Sequence, residues 1–202
     1  MYQQPKTKDS RYIPKIVTQE INQGIYEIDL TEIDPNKVAE TLKEILAGEV
    51  RRDETNAIHR GFHVTHTPVY NKETCNLFDD VILAIENKLL EIHEDTSNHY
   101  RSGISKIVPK VQTFWGVQYQ KGDKTDWHVH EDQYCFQTVY YVNVEDNSPI
   151  VFRNNGPKGD LIITPQKGKL VIFNGRTWHM VPELTSDNIR VAFVCNISYE
   201  KI

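Results

Sequence analysis

The chain carries two hydrophobic rhythms in succession. Up to about His93 many apolar positions recur at helical spacing, and from about Ser105 they alternate or run in short blocks. In the first part, "IYEIDL" alternates so that Tyr26, Ile28 and Leu30 share one side, which predicts a strand. "DPNKVAETLKEILAGE" predicts a helix, with Asp34 as N-cap, Pro35 at the first helical position and Gly48 as the stop. Val38, Leu42, Ile45 and Leu46 form its apolar face. A second helix is expected from about Lys72 to His93. Its stripe, Leu77, Phe78, Val81, Ile82, Ile85, Leu89 and Ile92, reads as core packed against a sheet.

The second part reads as strands. "VQTFWGVQYQ" places Val111, Thr113, Trp115, Val117 and Tyr119 on one face. "FQTVYYVNV", "PIVFRN", "DLIITP", "KLVIFNG" and "IRVAFVCNISY" follow, each rich in β-branched and aromatic residues and bounded by turn formers. Many short strands after two helices predict an α+β protein with a sandwich or jelly-roll core and the helices on the outside of the sheet. No linker separates the halves. One domain over 1–202 is expected, with 1–104 as a supporting region and 105–202 as the β core.

Composition narrows the function without naming it. The chain has 202 residues, 39% hydrophobic and 25% charged, which fits a water-soluble globular protein. A formal net charge of -5 and the lack of a Lys/Arg block give no support to non-specific nucleic-acid binding. No apolar run reaches membrane-span length, and the N-terminus lacks the apolar segment of a signal peptide. Cys75, Cys135 and Cys195 are odd in number and widely spaced, so a reducing, cytoplasmic setting is expected rather than a disulfide framework.

The candidate chemistry lies in "TDWHVHEDQYCFQTVYYVNV". His128 and His130 project from the same face if their strand is regular, and can chelate one ion. His179, in "FNGRTWHMVPEL", can supply a third imidazole from a second strand. Two close ligands plus a distant one is how a jelly roll assembles a metal site with open positions. Imidazole suits iron, zinc, copper and nickel alike. Asp132 offers a His-x-carboxylate alternative to His130. Trp127 and Trp178 flank ligands and would wall the roll. A second histidine group, His59, His63 and His66, fits neither one strand face nor a zinc spacing, and reads as a strand or loop bordering the entrance.

Four segments in order also carry a resemblance. "YQKGDKTDWHVH", "TVYYVNV", "PQKGKLVIFNGRTWHMV" and "SDNIRVAFVCNISY" resemble the double-stranded β-helix core of Fe(II)- and 2-oxoglutarate-dependent oxygenases. The match covers Tyr119 to Asn196. It is most similar to small members found in phages and aquatic bacteria, and more distantly similar to prolyl hydroxylases. The resemblance implies a double-stranded β-helix, Fe(II) held by His128, His130 and His179, and 2-oxoglutarate as cosubstrate. Arg190, eleven residues after His179, would fork onto the far carboxylate of oxoglutarate. Tyr119 and Tyr141 would offer phenol donors there, with Gln137, Val139 and Tyr141 facing inward. Asn196 would lie just behind the site. Family members often carry Ser or Thr where this chain has Ala192. The implied reaction couples decarboxylation of oxoglutarate to hydroxylation of a C–H bond.

Two other readings stay open on sequence. One is a cupin-like three-His metalloenzyme that does not use 2-oxoglutarate, for which Arg190 would have no task. The other is a non-catalytic jelly-roll module, such as a virion component. Arg190 could also pair at the surface with Asp187 or Glu183. The substrate, a small molecule or a protein or peptide, and the oligomeric state are not encoded in any motif.

Overall fold

A computed structural model describes residues 19–22, 24–48, 51–52, 65–67, 69–97, 107–130, 135–145, 148–154 and 159–201. His59, His63 and Asp132 lie outside these, as does the side chain of His66. The elements run β1 (Gln19–Asn22), β2 (Ile25–Asp29), α1 (Pro35–Gly48), β3 (Arg51–Arg52), β4 (Thr65–His66), α2 (Asp79–Ser97) and β5 (Ile107–Tyr119). After these come β6 (Thr125–His128), β7 (Phe136–Val144), β8 (Ile150–Phe152), β9 (Leu161–Ile163), β10 (Lys169–Asn174), β11 (His179–Val181) and β12 (Arg190–Lys201). Two antiparallel sheets result. The larger has the order β1-β2-β10-β7-β12-β5-β4-β3 and the smaller β6-β11-β8-β9. Neighbours in space are mostly distant in sequence, as a jelly roll requires.

Each face of the large sheet is apolar, and each has its own core. Tyr141, Val171, Phe173, Val117 and Tyr119 face the small sheet and pack with Ile150, Phe152, Ile163 and Val181. On the other face, Tyr140, Val142, Leu170, Ile172, Phe114 and Phe193 form one buried cluster with Val38, Leu42, Leu46, Ile82, Ile85 and Leu89 from the two helices. Strands buried on both sides read as continuous apolar runs, which is why "VYYV" and "LVIF" lack clean alternation. Tyr26, Ile28 and Leu30 share one side as expected, and that side meets the helix-side core. The amide of Asn36 donates to Asp34 Oδ1 at 2.9 Å, so Asp34 caps α1.

Three expectations are corrected. α2 begins at Asp79, seven residues after Lys72. Asn71 Oδ1 accepts the amides of Glu73 and Thr74 at 3.0 Å each, and this side-chain turn holds the chain out of a helix. Leu77 consequently precedes the helix and is exposed, whereas Phe78 stays buried. Val111 faces the helices instead of joining Thr113, Trp115, Val117 and Tyr119. The β5–β12 register shifts there, with Asn196 opposite Thr113 and Ile197 opposite Val111. That bulge at Gln112 turns the strand over. The buried carboxylate of Glu86 on α2 accepts the Val111 amide at 3.0 Å and pairs with Lys72 and Lys110, which ties the helix to the bulge. Among the described residues, no helix is long and apolar enough to cross a membrane.

Gly116 lets α1 approach β5, because a methyl group there would lie 2.5 Å from Leu42 Cδ2. Gly116→Ala should destabilise the fold by about 1–3 kcal/mol through overpacking, read as a lowered denaturation midpoint with an unchanged m value.

Candidate metal centre

β11 lies between β6 and β8, and His179 pairs with His128 on one side and Phe152 on the other. The next registered pair toward β6 is Val181 with Thr125. Two steps along β11 therefore match three along β6, so β6 carries a bulge at Asp126 and Trp127. The bulge has a direct consequence. In a regular strand Thr125 and His128 would face opposite ways. Here both turn toward the large sheet, Thr125 to the Tyr119 phenol at 2.7 Å and His128 to the other imidazoles. His130 follows the end of β6, and its amide is fixed to the Gly175 carbonyl at 2.9 Å.

The structure brings His128, His130 and His179 together, with one nitrogen of each within 4.8 Å of the other two. Ring centroids lie 4.1 Å apart for His128 and His179, and 5.2 Å from each of these to His130. The Nδ1–H of His128 donates to the Asp126 carbonyl at 2.9 Å, and that of His179 to the Thr177 carbonyl at 2.8 Å. Those bonds select the tautomer that leaves the Nε2 lone pair for a metal. Burial holds the His179 pKa well below its usual value, with His128 and His130 adding to the shift. A neutral imidazole is the ligand form. Phe173 and Phe152 pack on His179 at 4.7 and 6.0 Å between ring centroids.

The opposite end of the inner face is cationic. Arg190 is 2% exposed. Its Nη1 donates to the Ser148 carbonyl at 2.6 Å, and its Nε has no hydrogen-bond partner. The guanidinium carbon lies 4.3 Å from the Tyr119 ring centroid and 5.9 Å from that of Tyr141. Asp187 pairs with Lys121 instead, at 2.9 Å, so the surface pairing considered for Arg190 is not formed. Burial raises the Tyr119 pKa, with Arg190 opposing, and raises that of Tyr141 to about 12. Both phenols are therefore protonated donors at neutral pH. Tyr141 Oη, fully buried, has no partner.

Between the ends, the sheet pairings stack the inner residues in rows. Tyr119 and Val144 flank Arg190, Val117 and Tyr141 flank Ala192, Trp115 and Val139 flank Val194, and Thr113 and Gln137 flank Asn196. The last row is polar. Gln137 Nε2 donates to Asn196 Oδ1, and Asn196 Nδ2 to Thr113 Oγ1 at 2.8 Å. The Thr125 and His128 levels are two steps of β11 apart, about 7 Å along a strand.

No protein-family model matches the sequence, and no curated protein matches it significantly. Solved structures do match. A prolyl-4-hydroxylase of Pseudomonas putida aligns with TM-score 0.63 and 16% identity, over 86% of this chain and 91% of that one. A 2OG-Fe(II) oxygenase-family oxidoreductase of Burkholderia pseudomallei aligns with TM-score 0.59 and 12% identity, over 88% and 86%. The viral collagen prolyl hydroxylase of Paramecium bursaria Chlorella virus-1, solved with 2OG, aligns with TM-score 0.55 and 16% identity, over 86% and 94%. The fold is that of the 2-oxoglutarate- and Fe(II)-dependent oxygenases.

The residues present fit the groups named for two of these structures, Fe(II) and 2OG. Three imidazoles suit a divalent transition metal. A buried guanidinium with an open Nε and a buried phenol without a partner suit a carboxylate. Three contributors were not readable in the sequence. Thr125 is out of phase with His128 in a regular strand, Ser148 acts through its main chain, and Phe173 acts through a ring contact across sheets.

A prediction follows from the orphaned phenol. Tyr141→Phe should leave the ligand-free protein as stable as before, or more so by up to about 1 kcal/mol, because the lost hydroxyl bonds nothing. Denaturant unfolding reads the effect.

Proposed function

We propose that this protein is an Fe(II)- and 2-oxoglutarate-dependent oxygenase of the hydroxylase type. One pairing carries the reading: a three-imidazole cluster at one level of the roll and, on the same inner face, a buried arginine whose Nε bonds nothing. A carboxylate completes the hydrogen bonding of such a guanidinium through its open Nε, and a dicarboxylate does so while its other end reaches the metal.

In this reading His128, His130 and His179 hold the metal through Nε2. Arg190 forks onto the distal carboxylate, Tyr141 donates to the same group, and Tyr119 is aimed by Thr125. The iron supplies the activation of oxygen when bound. The chain's own part is to orient the cosubstrate, keep the imidazoles neutral and exclude water with Phe152, Phe173 and Trp115. An all-imidazole triad brings no negative charge to the metal, so the oxoglutarate carboxylate supplies the compensation. The two N-terminal helices buttress the outer face of the roll. The substrate is a small molecule or a peptide.

The test uses ligand-induced stabilisation, since a ligand of the native state must raise its melting temperature. With Mn(II) present, 2-oxoglutarate at about a hundred times its Kd should raise Tm by about 5–10 °C. Arg190→Leu should abolish that shift and keep the shift from Mn(II) alone. His179→Ala should abolish both. A wild-type shift with Mn(II) but none with oxoglutarate would move the protein to the cupin-like reading, and no shift with either would leave a non-catalytic module.

A further inference from the structure

Behind the ligand strands, on the outward face of the small sheet, three side chains meet. Trp127 directly precedes His128, Trp178 directly precedes His179, and Arg153 directly follows Phe152. The Arg153 guanidinium carbon lies 4.4 Å from the Trp127 ring centroid and 5.7 Å from that of Trp178. The Arg153 amide also donates to the Trp178 carbonyl at 2.9 Å, continuing the β8–β11 ladder past the end of both strands. One side chain thus starts on β8, crosses β11 and ends on β6.

Its end point is the bulge. Asp126 and Trp127 are the extra step that lets Thr125 and His128 both turn inward. Asp126 faces out, where it pairs with Lys124 at 3.2 Å. β6 and β11 have only four and three residues, and their two registered pairs straddle the irregularity. So short a ladder gives the bulge little main-chain support, and bulged and regular registers of β6 differ in which face His128 takes. A planar cation on the Trp127 ring favours the bulged arrangement, since with Thr125 held inward by Tyr119 regular pairing would swing that ring away from Arg153 and His128 outward.

We infer, on the metal-centre reading above, that Arg153 is a positioning residue for the metal. By clamping Trp127 across β11 it holds the β6 bulge in the register that aims His128 at His130 and His179. It touches neither metal nor substrate. The order of events is steric. Arg153 fixes Trp127, Trp127 fixes the bulge, and the bulge fixes the His128 ring.

The experiment is titration with Co(II), followed by its visible absorption, so no substrate or turnover is needed. Arg153→Met keeps the apolar stem and removes the cation. It should weaken Co(II) affinity about three- to fivefold, the size of an exposed cation–π contact. Arg153→Lys should restore part of the loss. Trp127→Leu should weaken binding to the same extent as Arg153→Met, and the double variant should lose no more than either single change. Histidine NMR spectra of the metal-free variants should show the His128 resonances shifted, with Arg190-dependent binding of oxoglutarate by the metal-loaded protein retained. Unchanged Co(II) affinity in Arg153→Met overturns the clamp and leaves the metal centre standing. Additive losses in the double variant also overturn it. Wild-type protein that binds no Co(II) overturns the metal centre and the clamp together.

Discussion

The mismatch between two steps of β11 and three of β6 decides what the inner face of this protein can do. Without the extra residue, Thr125 and His128 would face opposite ways. The strand could then serve the Tyr119 end or the metal end, but not both. With the bulge, a four-residue strand contributes to each. Thr125 orders the phenol beside Arg190, and His128 closes the imidazole cluster. Both belong to one four-residue stretch of backbone, so a shift at one end carries through to the other.

Charge then determines what kind of ligand suits the cleft. The imidazoles are tied by Nδ1–H bonds to carbonyls at His128 and His179, and His179 is kept neutral by burial. Asp123, a buried acid near Tyr119, accepts the Gln120 amide at 2.9 Å within its own turn. Arg190 puts a guanidinium at one end, with its Nε open, and a metal on the imidazoles would put a dication at the other. A molecule with carboxylates at both ends answers both, and the apolar rows between them suit its methylene spacer. Ala192 fits the same picture. It lies between Val117 and Tyr141 on the inner face of the large sheet, so the hydroxyl nearest this position is the Tyr141 phenol rather than a Ser or Thr on β12.

Much of this was readable from periodicity and spacing. α1 with its Asp34 cap, the inward face of β7, and the imidazoles of His128, His130 and His179 all follow from local patterns. Where the reading failed, a local feature outside the period was responsible. The Asn71 side chain bonded its own turn and delayed α2. A bulge at Gln112 moved Val111 to the other face. Side-chain capping and bulges act over two or three residues, too few to register in a hydrophobic pattern.

By itself the sequence determined which residues have imidazole, phenol and guanidinium groups to offer, and which segments extend. Those are properties of residue type and of a two-residue or 3.6-residue repeat, carried within a few positions of the chain. Only the tertiary structure decided that Arg190 is buried rather than paired with Asp187, that Thr125 and His128 share a side, and that Arg153 reaches across β11 to Trp127. Each of these depends on register between strands far apart in sequence. Register is set by the packing of both faces of the large sheet at once, and no local stretch contains that information.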